Sequence, residues 1–226
     1  AFARRLNVET SAIEAQCAVI GNVGFLGAPM LVLLLGPDAI GPVMLVLAAD
    51  LIVFSSLIVI LITGGRDGQL RIGIIRTIAL GLVKNPMIMS ISAGLIWSSL
   101  SIPIPAPLNE FLAILGGAAT PGALFAIGAS LASKSAERVE IAAWLSFCKL
   151  VLHPACVAIA VLYVLPLDPY TAAVVISAAA LPVAGNVYIL AQHYGVAPQR
   201  VSAAILLSTC ASIVTVSLVI AWVSPL

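Results

Sequence analysis

Charge is what this chain lacks most. Only 8% of its 226 residues are Asp, Glu, Lys or Arg, against about 25% in an ordinary soluble domain. That scarcity excludes a soluble globular protein. The absence of any basic tract or aromatic–basic interleaving excludes nucleic acid as a partner. Cysteine is scarce too, and Cys17, Cys148, Cys156 and Cys210 all lie in apolar segments with no CxxC or Cys/His ligand spacing. They read as small buried hydrophobes rather than metal ligands or disulfides. No HExxH, Walker or dinucleotide motif and no Ser/His/Asp constellation is present, so neither an enzyme nor a bound cofactor is expected. The chain opens on Ala1 rather than Met, and Ala1-Phe2-Ala3-Arg4-Arg5 reads like an apolar segment meeting a basic loop, with no signal peptide. The expectation is a fragment whose first spans are missing.

What is present is apolar length. Hydrophobic residues make up 62% of the chain and the mean hydropathy is +1.20. About 20 apolar residues cross a bilayer, and on that ruler seven spans emerge, at roughly 15–36, 39–63, 86–101, 110–133, 141–165, 170–192 and 201–224. The third is short, and extends back over Ile78 to Val83 if it crosses fully; Ile72 to Val83 otherwise suits the interface. Arg4, Arg5, Arg66, Arg71, Arg76, Lys84, Lys134, Arg138 and Arg200 all fall in alternate loops. The loops around Pro37-Asp38, Ile102 to Asn109 and Pro166-Leu167-Asp168 carry no Lys or Arg. The basic loops therefore face the cytoplasm. Thr63 to Gln69 reads as a cytoplasmic connector and Ile102 to Pro107 as a stiff extended turn. The expected location is the cell (inner or plasma) membrane, crossed several times, with lipid as the first partner.

Two apolar stretches are broken near their midpoints, one at Gly21-Asn22-Val23-Gly24-Phe25-Leu26-Gly27-Ala28-Pro29 and one at Leu181-Pro182-Val183-Ala184-Gly185-Asn186. Lipid offers no hydrogen bonds, so broken backbone is tolerated at that depth only where protein or a water-filled cavity satisfies it. Paired breaks are the mark of a secondary transporter's substrate site. The first broken span runs inside to outside and the second the reverse, each ends near a glycine (Gly36, Gly195), and a complete span follows each. This is the relation of inverted repeats, and it implies ten spans in the parent, three of them absent here.

The site residues follow from the breaks. Pro29 and Pro182 are placed to start the second half-helix of each broken span, because proline suits the first helical position. Their positive ends then converge where a carboxylate can sit, although a proline that merely kinks a helix has the same sequence. Asn22, beside Gly24, and Asn186 flank the breaks; their carboxamides either donate to a carboxylate or rescue orphaned carbonyls. Tyr188 lines the cavity or packs. Lys149 and His153 share a helical face, Lys149 about 12 Å inside its span, which suits a pathway or proton relay. Asp50, mid-span, needs a partner, a proton or an ion, and Lys149 is the one intramembrane cation to hand. Glu9, Glu14, Glu110, Glu137 and Glu140 read as solvated or loop charges.

These motifs also carry a resemblance. Asn22-Val23-Gly24-Phe25-Leu26-Gly27-Ala28-Pro29 is similar to the first crossover of the auxin efflux carrier family, which includes bacterial organic-acid permeases. Leu181-Pro182, Asn186, Leu190-Ala191 and Tyr194-Gly195 resemble the second crossover and its exit. Lys84-Asn85-Pro86 with Gly94 to Ser98 looks like the segment opening the second repeat, and Ala119-Thr120-Pro121, Gly128 to Leu131, and Lys149 with His153-Pro154 are also family-like. The resemblance implies an all-α membrane bundle with two crossed broken helices. It implies a scaffold at 72–133, through which a homodimer would form, and a mobile core at 1–71 and 134–226. The expected function is secondary transport of a small organic anion, a dicarboxylate or auxin-like acid, by alternating access, coupled to a proton or sodium ion or to neither. A seven-span receptor would not explain two oppositely directed breaks. A channel would need a continuous polar face, which Ser92, Ser98 and Ser101 are too few to make.

Overall fold

The computed structural model describes residues 7–67, 80, 83, 86–132, 139–165 and 167–224. It is an all-α membrane helix bundle, as the sequence implies, with no strand among the described residues beyond one isolated pairing of Gly21 with Val183. Three helices, Pro37–Ile62, Val139–Val164 and Pro198–Val223, are each 26 residues long and apolar enough to cross a membrane. At 1.5 Å per residue such a helix reaches about 39 Å, more than the roughly 30 Å of hydrocarbon.

The first broken span comprises α1 (Val8–Val19), then, after a gap, a π turn (Val23–Gly27) continuous with α2 (Ala28–Leu35). It begins seven residues earlier than expected, because Asn7 caps it by accepting from the Thr10 amide (3.0 Å) and Glu9 and Glu14 lie inside the helix. Glu14 is no loop charge: it pairs with Arg200 at 2.7 Å. Next come α3 (Ile40–Ala49), a π turn (Asp50–Phe54) and α4 (Ser55–Asp67), then α5 (Pro86–Ser99) and α6 (Ala106–Ala132). The proline turn is shorter than expected, since Ala106 and Pro107 already belong to α6; proline is tolerated in a first turn, where its missing N–H has no partner to lose. The fifth span is α7 (Val139–Phe147), a π turn (Cys148–Leu152), α8 (His153–Ile159) and a second π turn (Ala160–Val164).

The second broken span is α9 (Pro169–Ala179), an extended stretch, and α10 (Gly185–Tyr194); α11 (Pro198–Val223) closes the chain. It opens with the same device as the first: Asp168 accepts from the Thr171 amide at 2.9 Å. Gly36 and Gly195, which end the two broken spans, both take positive φ (98° and 66°), which glycine tolerates and larger residues resist.

Three apolar clusters hold the bundle. One joins α1, α4, α10 and α11 through Ile13, Ile20, Ile58, Val187 and Ile205. Another joins the 23–27 turn, α2, α3 and α9 through Val23, Leu31, Val43, Leu47 and Leu181. A third joins α8, α9 and α11 through Ala158, Ala172, Ile176 and Val223. α9 is the most enclosed element: Ala172, Ala173, Ala178 and Ala179 are all buried, and such small residues let neighbouring backbones approach. Conversely Leu33, Leu45, Tyr163 and Ile213 are widely exposed, as lipid-facing side chains should be. The basic residues Arg4, Arg5, Arg71, Arg76, Lys84, Lys134 and Arg138 lie outside the described residues, as does most of the 72–83 segment, and so does the side chain of Arg66.

Candidate functional site

The two breaks meet. The Asn22 amide donates to the Pro182 carbonyl at 2.8 Å and the Ala184 amide donates to the Ile20 carbonyl at 3.2 Å, so Gly21 and Val183 face each other antiparallel. A chain that leaves a helix in the membrane frees backbone groups, and here each break satisfies the other's. Further support comes from side chains: the Val183 amide donates to Ser208 Oγ at 3.1 Å, and Lys149 Nζ donates to the Ala179 carbonyl at 2.5 Å. Gly21 sits where the crossing is tight. A Cβ there would sit 3.4 Å from both the Ala178 carbonyl oxygen and Lys149 Nζ, and 3.5 Å from Leu181 Cβ, ordinary van der Waals contact that a longer side chain would exceed.

Neither proline starts a half-helix. The second half of the first broken span begins at Val23, and Pro29 follows one π turn into it. The wide π turn, whose bonds run i to i+5, absorbs the N–H that proline lacks. Pro154 follows the Cys148–Leu152 π turn in the same way. Pro182 lies in the extended stretch and serves as acceptor for Asn22, while α10 begins three residues later at Gly185. The consequence is favourable to an anion site: both half-helices begin at the crossing itself, and their first N–H groups have no intrahelical partner.

Asn22 is buried at the head of the 23–27 turn and makes no side-chain cap bond; its carbonyl accepts from Leu26 and Gly27. Gly24 is half-buried in that turn. Asn186 is half-buried with its Oδ1 shielded and, among the described residues, unpartnered. Rotating that amide by 180° places the donor Nδ2 there instead. Tyr188 packs against the first apolar cluster, and its hydroxyl accepts from Gln192 Nε2 at 3.0 Å. Asn22 adjoins the crossing at Gly21, and Asn186 follows it at the start of α10.

Lys149 is fully buried, and its partners are Ala179 and His153 Nδ1 (3.1 Å) rather than a carboxylate. Asp50 is also buried, between Leu47 and Leu51 of the cluster that packs on Leu181. No direct ion pair joins Asp50 and Lys149 among the described residues. His153 Nδ1 is 3.1 Å from the Ala179 oxygen as well. In one tautomer it accepts from Lys149; in the other it donates to that shared carbonyl.

Two residues escaped sequence reasoning. Ser208 is one of many small polar residues in α11, and nothing in its neighbours marks it as the partner of a break. Gln16 is buried with both amide atoms unpartnered among the described residues, against a cavity of about 140 Å³ that Val19, Ile20 and Phe54 also line. A lone glutamine in an apolar span was the available signal.

Crossed broken helices inside an apolar bundle define a membrane transport architecture. Comparison with known proteins agrees. The membrane transport protein family matches over residues 2–220. A protein of Rhizobium meliloti (strain 1021) described as "Putative malonate transporter" is 34% identical over 225 residues, covering 96% of this chain and 68% of that protein. The chain belongs to the membrane transport protein family, the one its crossover motifs resemble.

Proposed function

We propose that this protein is a secondary transporter of small organic anions, with a dicarboxylate of the malonate class as the first candidate. The observation that carries the proposal is the crossing: two broken segments paired through Gly21 and Val183, with two half-helix N-termini opening beside Asn22 and Asn186. A carboxylate is a costly guest in an apolar bundle unless donors await it, and helix starts plus carboxamides supply them. Gly24 lets the substrate approach the first helix start, Pro182 shapes the second break, and Tyr188 walls the site. Pro29 supports this geometry from one turn away. The Rhizobium relative's description supports the substrate class.

Residues 1–71 and 134–226 form the mobile core and 72–133 the scaffold, through which two copies associate. The protein crosses the cell membrane several times with its basic loops in the cytoplasm, and it moves its substrate without covalent chemistry. Asp50 and His153 are the titratable groups placed to follow that movement. The test is counterflow of labelled malonate in vesicles bearing the protein. Asn186→Ala removes one hydrogen bond to a charged group, worth about 1.5–3 kcal/mol, and should weaken binding roughly tenfold or more. Normal binding and movement in both Asn22→Ala and Asn186→Ala proteins would place the substrate elsewhere.

A further inference from the structure

We propose that the Lys149 ammonium is a built-in cation: it occupies, from within the chain, the position beneath the crossing that a coupling sodium ion would need, so that the crossing neither binds nor requires sodium. The transport half of this statement rests on the function proposed above; the binding half does not.

The argument starts from α9. Its last carbonyls, Ala178 and Ala179, point into the gap beneath Gly21, and a helix C-terminus carries partial negative charge. Half-helix ends of this kind are where transporters hold coupling cations. Here the place is taken. Lys149 Nζ lies 2.5 Å from the Ala179 oxygen, 3.1 Å from His153 Nδ1, and 3.4 Å from where a Gly21 Cβ would be. The side chain is 0% exposed, so it cannot present itself to a substrate anion without the crossing coming apart. Asp50 is buried on the α3 side and, among the described residues, makes no hydrogen bond or ion pair with Lys149. An ammonium and a sodium ion about 4 Å apart repel strongly enough to weaken the second cation's binding on the order of a thousandfold. Removing the ammonium while leaving its space should therefore create a cation site where none existed.

The experiment measures thermal unfolding of the purified protein in sodium, lithium and choline chloride at equal ionic strength, with no substrate added. The natural protein should melt at the same temperature in all three. Lys149→Ala should melt lower in choline and recover in sodium or lithium, saturably, by about 3 °C or more once the ion is some ten times its Kd. Lys149→Met, which fills the space with an apolar group, should fall without recovering. Lys149→Ser carries the same comparison should the alanine variant not fold. A saturable sodium shift in the natural protein would overturn the proposal, as would variants with room for an ion that gain no cation-specific stability. Because melting reads ion binding alone, these outcomes stand apart from failure of malonate counterflow, which would sink only the transport reading.

Discussion

The two breaks do one job by different means. The first is brief: Ile20, Gly21 and Asn22 leave the helix, and the chain re-enters at once through a π turn. The second runs from Ala180 to Ala184 as buried, non-helical backbone. The first is satisfied by the second's backbone, through Pro182 and Ala184. The second also draws on side chains of flanking helices, Ser208 for the Val183 amide and Lys149 for the Ala179 carbonyl. Among the described residues no side-chain hydrogen bond serves Ile20, Gly21 or Asn22. A longer break exposes more backbone, and each added group must find a partner in an apolar interior. The first break thus depends on the second, and the supports of the second hold both.

That asymmetry can be broken most forcibly at the contact itself. Gly21→Leu drives a side chain into the Ala178 carbonyl, Lys149 Nζ and Leu181. Overpacking of this kind should cost about 3 kcal/mol, read as a large fall in melting temperature in detergent together with lost malonate counterflow. Lys149→Met in the natural background should cost about 2 kcal/mol, because the buried Ala179 carbonyl loses its donor. Ser208→Ala strands a single buried amide, that of Val183, at about 1–2 kcal/mol. If the dependence runs as described, Ser208→Ala should also loosen the first break, seen as faster hydrogen exchange at the Asn22 amide. Exchange changes confined to Val183 would mean that the breaks are independent.

Much of this was legible in the sequence because lipid enforces it. A bilayer permits no unpaired backbone, so Gly21-Asn22 and Leu181 to Asn186 had to mark a special place, and the spans had to be helical. The half-helix starts are not legible, because a proline that begins a helix and one that follows a π turn look alike in sequence. A π turn accommodates Pro29 inside a helix, and i to i+5 bonding leaves no sequence signature of its own. The partners of Lys149 are illegible for a different reason. Charge suggested Asp50, yet the ammonium takes a backbone carbonyl, and carbonyls are invisible to residue-type reasoning. Gln16 and Ser208 were overlooked because single polar residues in apolar helices are common and their burial is set by packing alone.

The smallest expected effect sharpens the comparison at the entrances. Both broken spans open with a side-chain cap, neutral Asn7 in the first and ionised Asp168 in the second. Bonds from Thr171 hold the Asp168 carboxyl below its ordinary value of 3.8, so the cap is fully present above that value and is lost as pH falls below it. Acid should therefore speed exchange of the Thr171 amide relative to its intrinsic rate and leave the Thr10 amide unchanged. Equal behaviour at the two caps would contradict the assignment.

The central claim is that the breaks pair with each other, and it is tested most directly by solid-state NMR of the isotope-labelled protein in lipid. Asn22 donating to Pro182 and Ala184 to Ile20 make Gly21 and Val183 the closer kind of antiparallel pair, with Cα atoms about 4.5 Å apart. The account predicts a strong direct Gly21–Val183 Cα cross-peak and slow exchange at Asn22 and Ala184. A spectrum that shows sequential contacts on both sides of each break but no Gly21–Val183 peak, with both amides exchanging freely, would contradict it.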